Sequence, residues 1–464
     1  MEDKQKTELF ESMPVPKAVM QLAIPTVLSS LVMVLYNLAD TYFVGLLNDP
    51  IQTAAVTLAG PVLLAFNAVN NLFGVGSSSM MSRALGARDL DTVRRSSAFG
   101  FYLALFSGVL FSLLVGVFQH PLLGLLGTDK DTYGATQGYL LWTVVCGAAP
   151  AILNVVMAYL VRAEGESLHS SIGTMSGCVL NIILDPFFIL PWGLDMGAAG
   201  AGLATFLSNC VACLYFFVLL FIRRGKTYVC VDPRKFCLRR SIVLGVCGVG
   251  VPASIQNLLN VTGMTILNNF ASAYSADAVA AMGIAHKVQM IPMQIALGFS
   301  QGIMPLISYN FASANTARMK KSFLFTVRIS MTFLILATAG FYVWSGEITS
   351  FFMQQESIIA YGRDFLRAMS LAIPFLCMDF LAVGVFQACG MGSKSLLFAI
   401  LRKIVLEIPA LFILDAIFPL YGLAWAQAVA EFILSIAAIA VLVRLFRRLE
   451  KQRGSGARLR EGQA

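Results

Sequence analysis

AAVTLAGPVLLAFNAVNNLFGVGSSSMMSRALGARD, residues 54–89, aligns without a gap on AAMGIAHKVQMIPMQIALGFSQGIMPLISYNFASAN, residues 280–315. Each stretch stays apolar for longer than the ~20 residues a helix needs to cross a bilayer. Each then ends on small and polar residues at the same distance. The echo continues on both sides: AIP at 23–25 answers GVP at 250–252, and GLATF at 202–206 answers GLAWA at 422–426. AAPAILNVVMAYLVRAEG at 148–165 matches AIPFLCMDFLAVGVFQACG at 372–390 with one slip. The order and spacing of these matches make the chain a tandem duplication, divided by the basic stretch RRGKTYVCVDPRKFCLRR at 223–240.

The composition sets the medium of both copies. Of 464 residues, 58% are hydrophobic and 12% charged, with a mean hydropathy of +0.76. Soluble domains carry about 25% charged residues, so a disordered chain, a secreted disulfide scaffold and a cytosolic enzyme are excluded. Twelve apolar runs read as spans: 18–45, 52–82, 96–119, 136–161, 168–190, 197–222, 241–271, 277–311, 322–344, 358–387, 395–418 and 421–446. Six spans per copy return the chain to the same side, which makes the copies parallel repeats about an axis along the membrane normal. The expected fold is an all-α polytopic membrane protein, twelve transmembrane helices in two six-helix lobes related by a pseudo-two-fold axis. Its domains are an N-terminal arm (1–17), a first lobe (18–222), a linker (223–240), a second lobe (241–446) and a basic tail (447–464). The arm is too acidic, and the run after it too long, for a cleaved signal peptide.

Lys and Arg set the orientation. One side collects the arm, Arg83, Arg88, Arg94, Arg95, Arg162, the linker, Arg318, Lys320, Lys321, Lys394 and the tail, while the opposite connections hold Lys130. Both termini and the linker are therefore expected in the cytoplasm. The formal charge of +8 is a topology signal, and no nucleic-acid partner is expected. Nine cysteines lie mostly in apolar runs without a disulfide pattern, and the Cys210/Cys213 pair reads as helix packing.

Proline inside a span removes a backbone hydrogen bond and is expected to kink the helix. Pro25, Pro61, Pro150, Pro186, Pro252, Pro292, Pro305, Pro374 and Pro409 are so placed. The runs GVGSSS (74–79) and GAAGAG (197–202) read as close helix packing.

Ionisable residues in spans are costly and are functional candidates by default. Asp40 lies in YNLADTYFVG (36–45), with Tyr36 one turn away on the same face and Asn37 nearby. A helix-end aspartate facing solvent is the ordinary alternative. Asp185 lies in LNIILDPFFIL (180–190), with Asn181 one turn earlier. A carboxylate beside an amide oxygen can hold a proton or share a small hard cation through oxygen ligands. Asn154 and Thr205 add oxygens on spans of the same half. Asp40, Asn154, Asn181, Asp185 and Thr205 form the candidate coupling site, with sodium possible at Asp40, Asn181, Asp185 and Thr205. In the second half, Asp379 takes the repeat position of Asn154, and Lys287 sits near mid-membrane. Lys403 and Glu407 are spaced to pair, and Arg402 is expected to snorkel to the cytoplasmic interface.

At these residues the chain resembles the multidrug and toxic compound extrusion family in its MepA-like bacterial branch. ELFESMPVPKAVMQLAIPTVLSSLVMVLYNLADTYFVG (8–45), NIILDP (181–186), the basic linker and the six-plus-six repeat carry the resemblance over nearly the whole chain. It implies an inner-membrane antiporter that exports lipophilic cations against an inward flow of protons or sodium. It also implies a cation site at Asp40, Asn181 and Asp185, with Thr205 at the matching sixth-helix position. The family's NorM-type branch adds a seventh-helix glutamate to a tenth-helix aspartate. Asp379 matches the aspartate, but VPASIQNLLNVTG (251–263) has no glutamate, so the resemblance places coupling in the first lobe. Tyr36, Asn37, Lys287, Met290, Met293 and Asp379 are candidate substrate-cavity residues. The expected partners are small organic cations and membrane lipids, with a monomer expected and no cofactor beyond the coupling ion.

A flippase for a lipid-linked precursor is the main alternative, but it calls for a cationic cavity to meet phosphates. A membrane-embedded transferase calls for a His–Asp pair or DDxxD within a span, and neither is present. A channel calls for a repeated filter. GxxxxGK[ST] does not occur, so uphill transport requires an ion gradient.

Overall fold

The computed structural model describes residues 2–353 and 355–461. Every regular element among them is a helix. Nine spans are long single runs: α1 (Val15–Gly45), α2 (Pro50–Gly86), α3 (Leu90–Val117), α5 (Ser167–Ile189), α6 (Gly197–Ile222), α7 (Arg240–Ser272), α8 (Ala276–Ala312), α9 (Thr316–Val343) and α12 (Tyr421–Glu461). Two are bent pairs: α4 (Thr132–Cys146 with Ala148–Ala163, 52°) and α10 (Glu356–Ser370 with Ile373–Ala388, 42°). The twelfth, α11, is built from Gly392–Ile400, a π-helical turn Leu401–Glu407 and Ile408–Ile417. Several helices run past the apolar segments read from sequence, because polar turns such as Leu90–Arg95 and Thr316–Lys321 continue the helix beyond its hydrocarbon-crossing part. The prolines act less uniformly than expected. Pro150 and Pro374 stand just after the 52° and 42° bends of α4 and α10, where a kink is expected, and Pro61 and Pro409 open helical pieces within α2 and α11. Pro25, Pro186, Pro252, Pro292 and Pro305 lie inside helices.

The duplication is visible in matching hydrogen bonds. Ser82 Oγ donates to the Ala163 carbonyl (2.9 Å), and its repeat partner Ser308 donates to Ala388 (3.0 Å). At the bends of α4 and α10, released carbonyls need new donors. Ser112 serves Val144 and Thr338 serves Ser370, both at 3.2 Å. The α2–α3 and α8–α9 turns are equally alike, with Arg88 (φ 60°) and Ala314 (φ 56°) left-handed. Asp89 then caps Thr92 (3.1 Å) as Asn315 caps Arg318 (3.2 Å). The hydrogen bonds from Thr92 hold the Asp89 carboxyl below its ordinary pKa.

The helices pack as two compact units. One is built mainly of Leu28–Ser254; the other takes Glu8–Val27 and the chain from Ile255 onward. This boundary differs from the sequence division at 223–240, because the leading end of each copy's opening helix packs with the other copy. In the first unit, Gly76 and Gly250 let α2 and α7 touch backbone to backbone at Val246 and Leu72. In the second unit, Gly298 does the same for α8 and α1, where an added Cβ would lie 2.7 Å from Val27 Cα. The linker is fastened to the first unit by the buried Glu164 carboxylate, which accepts from the Thr227 hydroxyl (3.0 Å) and the Tyr228 N–H (2.7 Å). In the second unit the Arg318 guanidinium closes the short N-terminal helix by donating to Phe10 (2.6 Å) and Leu9 (3.0 Å) carbonyls. Large apolar side chains such as Phe106, Leu113, Leu214, Leu336 and Ile436 are exposed, as a lipid-facing surface requires.

Candidate cation-coupling site

Within the first unit, α5 and α6 approach closely because α5 offers glycine where α6 offers bulk. Gly173 lies against the Phe216 ring, and a Cβ on Gly177 would stand 3.1 Å from the Ser208 carbonyl. That contact sets Asn181 and Asp185, one and two turns further along α5, beside Thr205 of α6. Asn181 and Asp185 are almost fully buried, at 2% and 0% exposure. With its amide nitrogen toward the carboxylate, Asn181 donates to Asp185 Oδ2 at 2.8 Å and its oxygen accepts from the Thr205 hydroxyl at 3.3 Å. Asn181 thus ties α5 to α6 and leaves Asp185 with lone pairs to spare.

The opening helix brings the other members. The Tyr36 hydroxyl faces Thr205, and Asp40 lies within electrostatic range of Asp185. Asp40 Oδ1 is buried without a hydrogen-bond partner. Among the described residues neither Asp40 nor Asp185 forms an ion pair. Two carboxyls, two hydroxyls and an amide therefore meet in an apolar setting, with no basic side chain paired to them among the described residues. Such a set can accept protons or a small cation with oxygen preference.

Asn154 stands slightly apart. Its amide donates to Asn209 Oδ1 (2.8 Å) and to the Pro150 carbonyl of its own helix (2.9 Å), and no hydrogen bond joins it to Asn181 or Asp185. Asn209 is one turn beyond Thr205, so Asn154 extends the polar strip along α6. Sequence reading passed over Asn209 and Tyr139. Tyr139 of α4 is buried within electrostatic range of Tyr36, Asp40 and Asp185. The four-residue step from Thr205 marks Asn209 in the sequence; no spacing marks Tyr139.

Asn37 is exposed and donates to the Met33 carbonyl of its own helix (2.9 Å). In the second unit Lys287 is exposed on α8, while Met290 and Met293 are half-buried. Asp379 is buried on α10 and, like Asn154, is the seventh residue after its bend. Arg402 overturns the expectation that it snorkels. It is 3% exposed, and its Nε lies 2.6 Å from Glu431 of α12. Burial between two carboxylates gives the guanidinium a better counter-charge than the interface offers. Lys403 and Glu407 pair at 2.6 Å, as their spacing predicts.

A duplicated helical bundle that gathers carboxyls without an ion pair among the described residues in its first half has the architecture of a membrane transporter. The chain belongs to the MatE family, whose profile matches residues 25–187 and 252–413. It is 32% identical over 452 residues to the multidrug export protein MepA of Staphylococcus aureus strain MRSA252, covering 97% of this chain and 98% of that one. The MepA of Staphylococcus saprophyticus is likewise 32% identical, over 455 residues, with the same coverage of both chains. A solved structure described as the outward-facing conformation of a multidrug resistance MATE family transporter of the MOP superfamily superposes with a TM-score of 0.90. It is 26% identical, over 96% of this chain and 98% of that one. These matches and the apolar helices make the chain a multi-pass bacterial membrane protein.

Proposed function

We propose that this protein exports lipophilic, mostly cationic organic compounds from the cytoplasm in exchange for protons or sodium. The transported ion binds at Asp40, Asn181, Asp185 and Thr205, and the termini face the cytoplasm of a monomer in the inner membrane. The observation that carries the reading is the pair of carboxyls in which Asp185 is fully buried and half-buried Asp40 has its Oδ1 buried without a hydrogen-bond partner, with no ion pair to either among the described residues. Binding a proton or sodium there neutralises charge in an apolar setting and favours one arrangement of α1 against α5 and α6. Substrate and ion oppose each other by linkage, each weakening the other's affinity by the same factor. Alternating access then carries the two in opposite directions. Likeness to export proteins named for multidrug substrates supports the substrate class.

Ethidium uptake into inverted membrane vesicles tests this reading, with a proton gradient or a sodium gradient imposed separately. Uptake driven by one gradient and lost in Asp40→Asn identifies both the ion and the site. Absence of gradient-driven movement for ethidium and a panel of other organic cations overturns the multidrug reading and favours a lipid-precursor flippase.

A further inference from the structure

The gapless register that pairs Ser82 with Ser308 and Ser112 with Thr338 also pairs a face of α3 with a face of α9. In the first unit that face is covered by the chain's own linker. Ser97 exchanges hydrogen bonds with Cys230, its hydroxyl donating to the carbonyl (3.2 Å) and accepting from the N–H (2.9 Å). The Tyr102 hydroxyl donates to the Val231 carbonyl (2.6 Å). The centre of the Phe236 ring lies 6.3 Å from that of Phe99 and 5.7 Å from that of Tyr102. Asp91 closes the contact by pairing with both Arg95 and Lys235.

The matching positions of α9 carry different residues. Phe323 stands for Ser97, Lys321 for Arg95, Ala317 for Asp91 and Arg328 for Tyr102, so the carboxylate is gone and a cation takes the tyrosine's place. Phe323 turns to α12 instead, its ring centre 5.6 Å from that of Phe446. Lys321 and Arg328 are exposed and form no ion pair among the described residues. With Leu324 between them they share one helix face, which continues into exposed Thr332 and Ile335. Arg328 lies ~10 Å further along an apolar span than Lys321. A cation on such a surface calls for a counter-charge, and its long stem lets the guanidinium reach back toward Lys321 and the headgroups. The adjoining end of α12 does not supply the anion: Arg444, Arg447 and Arg448 are exposed there, and Glu450 already pairs with Lys320 (2.8 Å).

We propose that Lys321 and Arg328 bind the phosphodiester of an anionic phospholipid, seated on the face of α9 whose counterpart on α3 holds the linker. A guanidinium takes two phosphate oxygens at once, and the ammonium sets a point charge beside them. The acyl chains run along the exposed surface that Thr332 and Ile335 continue. A lipid thereby does for α9 what a covalently attached segment does for α3. The site lies on the lipid-facing surface and does not depend on which ion or substrate the first unit handles.

The test is native mass spectrometry of the purified full-length protein in detergent, titrated with phosphatidylglycerol or with phosphatidylcholine of the same acyl chains. The expected result is preferential retention of phosphatidylglycerol. Arg328→Gln and Lys321→Gln should each weaken that retention by about fivefold, and the double variant more than either. Arg234→Gln/Arg239→Gln removes the same charge from exposed positions on the linker and should leave retention unchanged. Both α9 side chains are exposed, so the variants are expected to fold, and their thermal unfolding in phosphatidylcholine confirms it. Equal retention of the two lipids by the unaltered protein overturns the proposal. So does retention of phosphatidylglycerol by the α9 double variant at the unaltered level. An equal loss in the linker pair also overturns it, in favour of a diffuse attraction to the whole basic surface.

Discussion

The two units end their helices alike and differ in what they keep at their polar centres. In the first, Asp40 and Asp185 sit with hydroxyl and amide neighbours and no ion pair among the described residues. In the second, Asp379, Glu407 and Glu431 sit with Arg402 and Lys403 already in place. A duplicated scaffold has thus been given two solutions to one electrostatic problem. A carboxyl buried with a resident cation contributes to a fixed network, whereas one without it remains open to a cation that comes and goes. The contrast favours the first unit as the place where a transported ion is exchanged.

The sharpest way to break the contrast is to remove the resident cation. Arg402→Leu leaves two carboxylates uncompensated and is expected to destabilise the protein by about 3–5 kcal/mol, read by thermal unfolding in detergent. Adding Glu431→Gln should recover much of that loss. A neutral result for Arg402→Leu would mean that the pair at 2.6 Å contributes little. The next largest effect belongs to the open site. Asp40→Asn and Asp185→Asn should each reduce gradient-driven ethidium transport by about tenfold or more, with thermal stability unchanged or raised. If these variants transport normally, exchange does not reside in the first unit.

Smaller tests address what the units share. Ser82→Ala and Ser308→Ala remove equivalent buried hydrogen bonds and should cost about 1 kcal/mol each; a large inequality in unfolding temperature would show that the copies have diverged in packing as well as in charge. The smallest effect lies at the two helix caps, where Asp89→Ala and Asn315→Ala should each cost about 1 kcal/mol or less. Their pH responses separate them. The Asp89 pKa is depressed in the fold, so its contribution is present above the ordinary aspartate range and is lost as pH falls through the depressed value. The Asn315 amide does not titrate, so its cap persists in acid. Unfolding of the two variants across acid pH reads the difference directly.

Much of this architecture is legible in the chain because its causes are local. Apolar run length gives the spans, and a fixed offset gives the duplication that Ser82 and Ser308 then display. The i, i+4 step brings Asn181 to Asp185 and Lys403 to Glu407. What spacing cannot supply is the rotation of one helix against another. Arg402 meets Glu431 twenty-nine residues away on the next helix, and Asn154 finds Asn209 instead of Asp185. The exchange of opening helix ends is equally invisible, because nothing in the sequence of α1 says which glycine its backbone will touch. Prolines are legible only in part: Pro150 and Pro374 follow the two sharp bends, whereas Pro25 and Pro186 lie inside unbroken helices, so residue type alone does not say which span breaks.

The exchange of opening segments also bears on how the molecule is made. During synthesis the first unit emerges without Arg240–Ser254, and Glu8–Val27 waits for a unit not yet translated. Neither half can reach its final packing on the ribosome until α7 and α8 have entered the membrane. Assembly is therefore an interlocking step completed late. A gene cut within the 223–240 linker should yield two fragments that mature only when made together, each one finishing the other.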